Sequence, residues 1–125
     1  ASLIEKESAA PAESPKVSGV IYNRLFRWGN TPPYLNIDAA IFYALGEHKE
    51  SLTSEDLQVD SPYNTYTQIG LPAGPIANPG ANSLYAALTP SETDYYYFVY
   101  DESARVHRFS RTYAEHMDWC NRLGL

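Results

Sequence analysis

The sequence predicts an α+β fold: short helices packed on a small antiparallel sheet, with a β-hairpin and a helix at the C-terminal end. Three observations point there. Apolar residues recur at helical spacing in several short stretches, each punctuated by Gly or Pro. Two runs rich in Tyr, Phe and Val lie close together near the C-terminus. Strands and helices do not alternate, which removes the parallel α/β classes. With 125 residues, 44% of them hydrophobic, the chain is expected to form one domain spanning 1–125 with a core of useful size.

The elements follow in order. Residues 1–10 contain neither Gly nor Pro and are mostly good helix formers, so a helix is expected there, stopped by Pro11. Ser14 and Pro15 suit a helix start, and Val17, Val20, Ile21, Leu25 and Trp28 then recur at helical spacing until Gly29 and Asn30. Thr31, Pro32 and Pro33 read as a loop. Asp38 is expected to cap a short helix that Gly46 stops. A polar loop over 47–51 precedes Thr53 to Asp56, which resembles a capping box. The stretch SPYNTYTQIGLPAGPIANPG, 61–80, is rich in Pro and Gly yet carries aromatics, and reads as an extended segment followed by a rigid loop. A helix over 82–88, strands over 95–101 and 105–110, and a C-terminal helix capped by Thr112 and Glu115 complete the chain.

Composition narrows the functional classes. Nine Lys and Arg against fifteen Asp and Glu leave a net charge of -6, with no basic stripe, which argues against nucleic acid. The single Cys120 excludes an internal disulfide. No apolar run approaches the ~20 residues that span a bilayer. His48, His107 and His116 are scattered without zinc-site spacing, and neither a phosphate-cradling glycine loop nor a Gly-x-Ser-x-Gly elbow occurs. No metal and no cofactor is therefore expected. The helical pattern begins at once and without Met, so the chain is expected to be part of a longer protein.

Two features carry chemistry. Glu5 and Glu7 stand two residues apart in ASLIEKES. At about 100° per residue they diverge by about 200° on a helix, so they cannot form a paired dyad. Glu7 shares the arc of Leu3 and Ile4, whereas Glu5 lies opposite. Burial along that arc would raise the carboxyl pKa of Glu7, as a general acid requires. The alternative is a glutamate at the rim of the core, paired with an Arg. The cluster Tyr63, Asn64, Thr65 and Tyr66 is the second feature. Tyrosine faces stack on sugar rings and an Asn amide matches acetamido groups. Alternatively the tyrosines fill the core and Asn64 satisfies a turn.

These stretches together resemble the YceG-like endolytic murein transglycosylases. The resemblance runs in order through ASLIEKES, PKVSGVIYNRL, LNIDAAIFYALG, LTSEDL, SPYNTYTQIGLPAGPIANPG, SLYAAL, YYYFV and HRFSRTYAEH, nearly the whole chain. It implies cleavage of the MurNAc–GlcNAc bond of peptidoglycan glycan strands to leave 1,6-anhydro ends. Glu7, the second acid of Glu-Lys-Glu, matches the family's catalytic glutamate and Ser8 the hydroxyl residue after it; Glu5 is implied to support the site or contact substrate. Asn36, Asp38, Tyr63, Asn64, Tyr66 and Asn78 are implied to border the glycan, Asn36 standing where relatives often carry the longer Gln. The resemblance further implies a membrane anchor and a LysM-like subdomain outside this chain, cell-wall synthases as partners, and a place on the extracytoplasmic face of the bacterial membrane. A glycan-binding scaffold module that does not cleave is the alternative from another class.

Overall fold

The structure is a computed structural model and describes residues 1–28 and 33–125. Among these, five α-helices and one two-stranded antiparallel sheet give the α+β arrangement. The helices are α1 (Ser2–Glu7), α2 (Ser14–Phe26), α3 (Asp38–Leu45), α4 (Ala81–Leu88) and α5 (Tyr113–Arg122); the strands are β1 (Tyr97–Asp101) and β2 (Val106–Ser110). Single 3-10 turns occupy Pro11–Glu13 and Asp56–Gln58. The expected stop at Gly29 and Asn30 and the loop residues Thr31 and Pro32 lie outside the described residues.

α1 stops at Glu7, three residues short of the expected end. Pro11 disfavours helical backbone at the residue before it, and Ala10 is extended with φ -145° and ψ 150°. Ser8 is extended too, so Glu7 is the last helical residue. Leu3 and Ile4 are buried as the helical wheel requires, in one cluster with Val17 and Ile21 of α2, Leu35 and Ile37, Ala40 of α3, Ile76, and Ala86 of α4. Each large aliphatic side chain buried there contributes on the order of 1.5–3 kcal/mol. Gly46, at φ 74°, ends α3 in the left-handed conformation that glycine adopts without strain.

One expectation about local structure is corrected. The segment 63–66 is not extended. Backbone bonds from Asn64 to Ser61, and from Thr67 and Gln68 to Asn64, coil it into successive turns, so its side chains do not alternate between two faces. The Thr53–Asp56 box forms as expected, with Asp56 N–H donating to Thr53 Oγ1 and Thr53 N–H to Asp56 Oδ2, and it opens a single 3-10 turn. The hairpin is also slightly shorter than expected. Tyr97 pairs with Ser110 and Asp101 with Val106, while Arg105, at φ 57°, belongs to the turn.

α2 anchors the approach to this hairpin. Asn23 Nδ2 donates to the carbonyls of Thr93 and Tyr95, at 2.8 and 2.9 Å. The Arg24 guanidinium donates to the carbonyls of Tyr34 and Tyr96. Closer to its start, α2 lets the 90s loop touch its backbone: Ser91 N–H donates to Pro15 O at 2.9 Å, and a Cβ on Gly19 would lie 2.5 Å from Ser91 O.

Candidate active site

Glu7 lies where two hollows meet. One, of about 440 Å³, is walled by α2, α3 and the hairpin and lined by Arg24, Tyr66, Tyr97, Tyr100 and His107 among others. The other, of about 640 Å³, runs along α3 past Phe42, Tyr43 and His48. Glu7 and Asp38 are the two residues that line both.

Burial pushes the Glu7 carboxyl up to about 7, with the negative charge of Asp38 adding to the rise and the Ala39 amide opposing it. The group therefore exchanges its proton near neutrality. Asp38 does not cap α3. Ile37 holds the cap position without a side-chain bond, and Asp38 instead accepts the Tyr66 hydroxyl. Burial and this bond hold the Tyr66 phenol well above the usual tyrosine range, so it remains a donor. Arg24 forms part of the cleft wall; only 6% exposed, it is stacked against the rings of Trp28, at 4.2 Å, and Tyr97, at 5.4 Å.

Of the residues singled out in the sequence, Glu7, Asn36, Asp38 and Tyr66 come together around the first hollow. Asn36 sits at φ 53°, a left-handed conformation that Asn tolerates better than most residues, and is exposed there. Glu5 points elsewhere: its Oε1 accepts the Gly80 N–H at 2.7 Å and the Ser83 hydroxyl at 3.1 Å, joining α1 to the start of α4. The Gly80 bond, followed by that of Ser83, lowers its pKa. Ser8 is likewise engaged. Its hydroxyl accepts from Ser14, which accepts from Asn82, a chain that joins α1, α2 and α4.

The turn chemistry of 61–80 removes the remaining expected contacts from the groove. Asn64 is fully buried; its amide donates to the carbonyls of Leu57 and Val59, and its Oδ1 accepts Tyr66 N–H. A buried amide with these bonds has little left for a glycan, and truncating it costs stability before it costs any sugar contact. Tyr63 packs at the edge of the core, 4.7 Å from the Tyr43 ring, and lines neither hollow. Asn78 is exposed but also lines neither. Of the loop over 71–79, Ile76 reaches the second hollow, while Leu71, Pro72, Gly74, Pro75 and Pro79 flank a separate recess beside the start of α1.

Sequence reading missed Arg24, Tyr97, His107, Tyr113 and His116 of the first hollow. A signal existed for some of them. The stretch HRFSRTYAEH carries His107, Tyr113 and His116, and Arg24 interrupts an otherwise apolar helical face. What sequence could not supply is the long-range placement of the hairpin and α5 opposite α2.

Comparison with known proteins bears on what this groove does. A model of the YceG-like family matches residues 1–122. An endolytic murein transglycosylase of Bacillus subtilis (strain 168) is 46% identical over 116 residues, covering 93% of this chain and 31% of that protein. One of Streptococcus pneumoniae (serotype 2 strain D39) is 37% identical over 106 residues, 81% of this chain and 18% of that protein. The chain thus spans about a third or less of these relatives. The 2.6 Å crystal structure of a YceG-like protein from Listeria monocytogenes superimposes with a TM-score of 0.86 at 44% identity, over 94% of this chain and 37% of that one.

Proposed function

Because the chain belongs to the YceG-like family, we propose that it is the catalytic part of an endolytic murein transglycosylase. In this reading it cleaves the MurNAc–GlcNAc bond inside peptidoglycan glycan strands, and Glu7 serves as acid and then as base. The observation that carries the reading is a carboxyl pushed up to about 7 at the junction of two open hollows. Sugars can then lie on both sides of the scissile bond, as cutting within a strand requires.

In the first step, protonated Glu7 gives its proton to the glycosidic oxygen as that oxygen leaves the MurNAc anomeric carbon. Positive charge grows on the ring, and the neighbouring Asp38 carboxylate stabilises it. In the second step, Glu7 carboxylate takes the proton of the MurNAc C6 hydroxyl while its oxygen bonds to the anomeric carbon, closing the 1,6-anhydro ring. The nucleophile belongs to the substrate, so no water has to be placed and much of the entropic barrier is already met. A pKa near neutrality suits a group that must give a proton and take one back in the same turnover.

Asp38 supports a second reading. Two neighbouring carboxylates are also what a hydrolysing muramidase uses. Mass analysis of glycan strands after incubation decides between them: anhydro ends fit the transglycosylase, reducing ends the hydrolase, and intact strands a binding module. We further propose that the protein works on the extracytoplasmic face of the bacterial membrane alongside cell-wall synthases, because its substrate is made there. Both anchor and partners would act through parts outside this chain.

A further inference from the structure

His107 lines the same cleft, held from behind by a carboxylate, and the mechanism above uses neither group. Glu13, in the 3-10 turn before α2, grips His107 of β2 twice. Its Oε1 accepts the His107 backbone N–H at 2.6 Å and its Oε2 meets the ring Nδ1 at 2.8 Å. The side chains are only 13% and 6% exposed. An ionised carboxylate can only accept, and these bonds help keep the Glu13 pKa low, so Nδ1 carries the proton. In the neutral ring Nε2 is then an acceptor. Among the described residues Nε2 has no protein partner, yet it is not sealed away as the Ser18 and Ser110 hydroxyls are. The ring lines the cleft that contains Glu7, with Phe98 at 5.2 Å and Tyr100 at 5.3 Å beside it.

We infer that His107 is a substrate-binding residue of this cleft, oriented by Glu13, whose Nε2 accepts a hydrogen bond from an amide N–H or hydroxyl of the N-acetylhexosamine bound next to Glu7. The inference rests on the proposed function for the identity of the sugar. A purely structural tie between β2 and the turn before α2 would account for the Glu13 bonds. It gives no reason for a fixed acceptor left open to a groove.

Two substitutions separate these roles. In His107→Asn the amide nitrogen falls near the position of Nδ1, so the bond to Glu13 survives while the Nε2 acceptor is lost. In His107→Gln the amide reaches the Nε2 position and the bond to Glu13 is lost. Cleavage kinetics and Tm are to be measured for both in the full-length protein. A binding role predicts that His107→Asn raises KM about tenfold, the scale of one lost bond, with kcat within about threefold and Tm near wild type. It also predicts that His107→Gln lowers Tm but restores much of KM. An unchanged KM in His107→Asn overturns the inference while wild-type cleavage leaves the functional reading standing, as does a His107→Gln variant impaired in both KM and Tm beside an unimpaired His107→Asn. De-N-acetylated strands identify the donor: a defect that vanishes on them assigns the bond to the amide, one that persists to a hydroxyl, and both support the inference. Wild-type protein that cuts no glycan overturns the functional reading and this inference with it.

Discussion

Glu5 and Glu7 are the same residue two positions apart, and the fold sends their acidities in opposite directions. Glu5 leaves the helix toward the start of α4, where the Gly80 N–H and the Ser83 hydroxyl stabilise its charge and lower its pKa. An anion at a helix N-terminus is also favoured by the helix dipole. Glu7 leaves toward the groove, where burial and Asp38 make the charge costly and push the pKa up to about 7. A carboxylate is thus made structural or reactive by what its end of the side chain meets.

Four substitution experiments test that contrast, the largest expected effect first. Glu7→Gln keeps shape and hydrogen bonding but cannot exchange a proton, so anhydro-end formation per folded molecule should fall by about 10²–10⁴-fold. An active Glu7→Gln beside a folded but dead Glu5→Gln would reverse the roles. The same variant should be more stable than wild type at alkaline pH. Because the folded pKa of Glu7 lies above the ordinary 4.5, the folded state holds its proton longer than the unfolded one, and wild type loses stability as pH rises from about 4.5 to about 7. Over that window the advantage of Glu7→Gln should grow to ~2 kcal/mol, after discounting for the partial exposure of the group, and then level off. Thermal melts from pH 4 to 9 measure it; a flat difference would remove the case for a desolvated acid.

Glu5→Gln should show the opposite sign and a smaller effect. Its lowered folded pKa stabilises the protein above the ordinary 4.5, and that stability is lost as pH falls through the folded pKa. The variant should therefore melt below wild type near pH 7 and match it in strong acid. An equal deficit at both pH values would mean that shape, rather than charge, joins α1 to α4. The smallest effect is expected from Asp38→Asn. Removing the charge that helps raise Glu7 should move the alkaline limb of the cleavage profile to lower pH, and an unmoved limb would leave burial as its whole cause.

Much of this contrast was legible in the sequence, because a helical wheel needs only the local period. Leu3 and Ile4 fixed which arc of α1 faces inward, and Glu7 follows them. The class of fold, the C-terminal hairpin and the stop at Gly46 were legible for the same local reasons. Asn64 was not, since Pro- and Gly-rich chain can be extended or coiled and only its bonds to Leu57 and Val59 decide. Asp38 looked like a cap because a capping side chain and a side chain aimed into a groove occupy the same kind of position. His107 meets Glu13 across 94 positions, a separation that periodicity does not reach.

Gly19 carries a consequence for how this protein can change over evolutionary time. The helix forgoes about 1 kcal/mol of intrinsic preference by having glycine in its interior. In return the backbone at Ser91 comes so near that any added carbon would collide with a carbonyl whose own amide is already bonded to Pro15. That contact seats the stretch leading into β1, which lines the first hollow together with Glu7. Position 19 takes no part in lining either hollow, yet a saturation library sorted for folded, active protein should return glycine there and little else. The shape of the groove is inherited in part through a residue with no side chain to inherit.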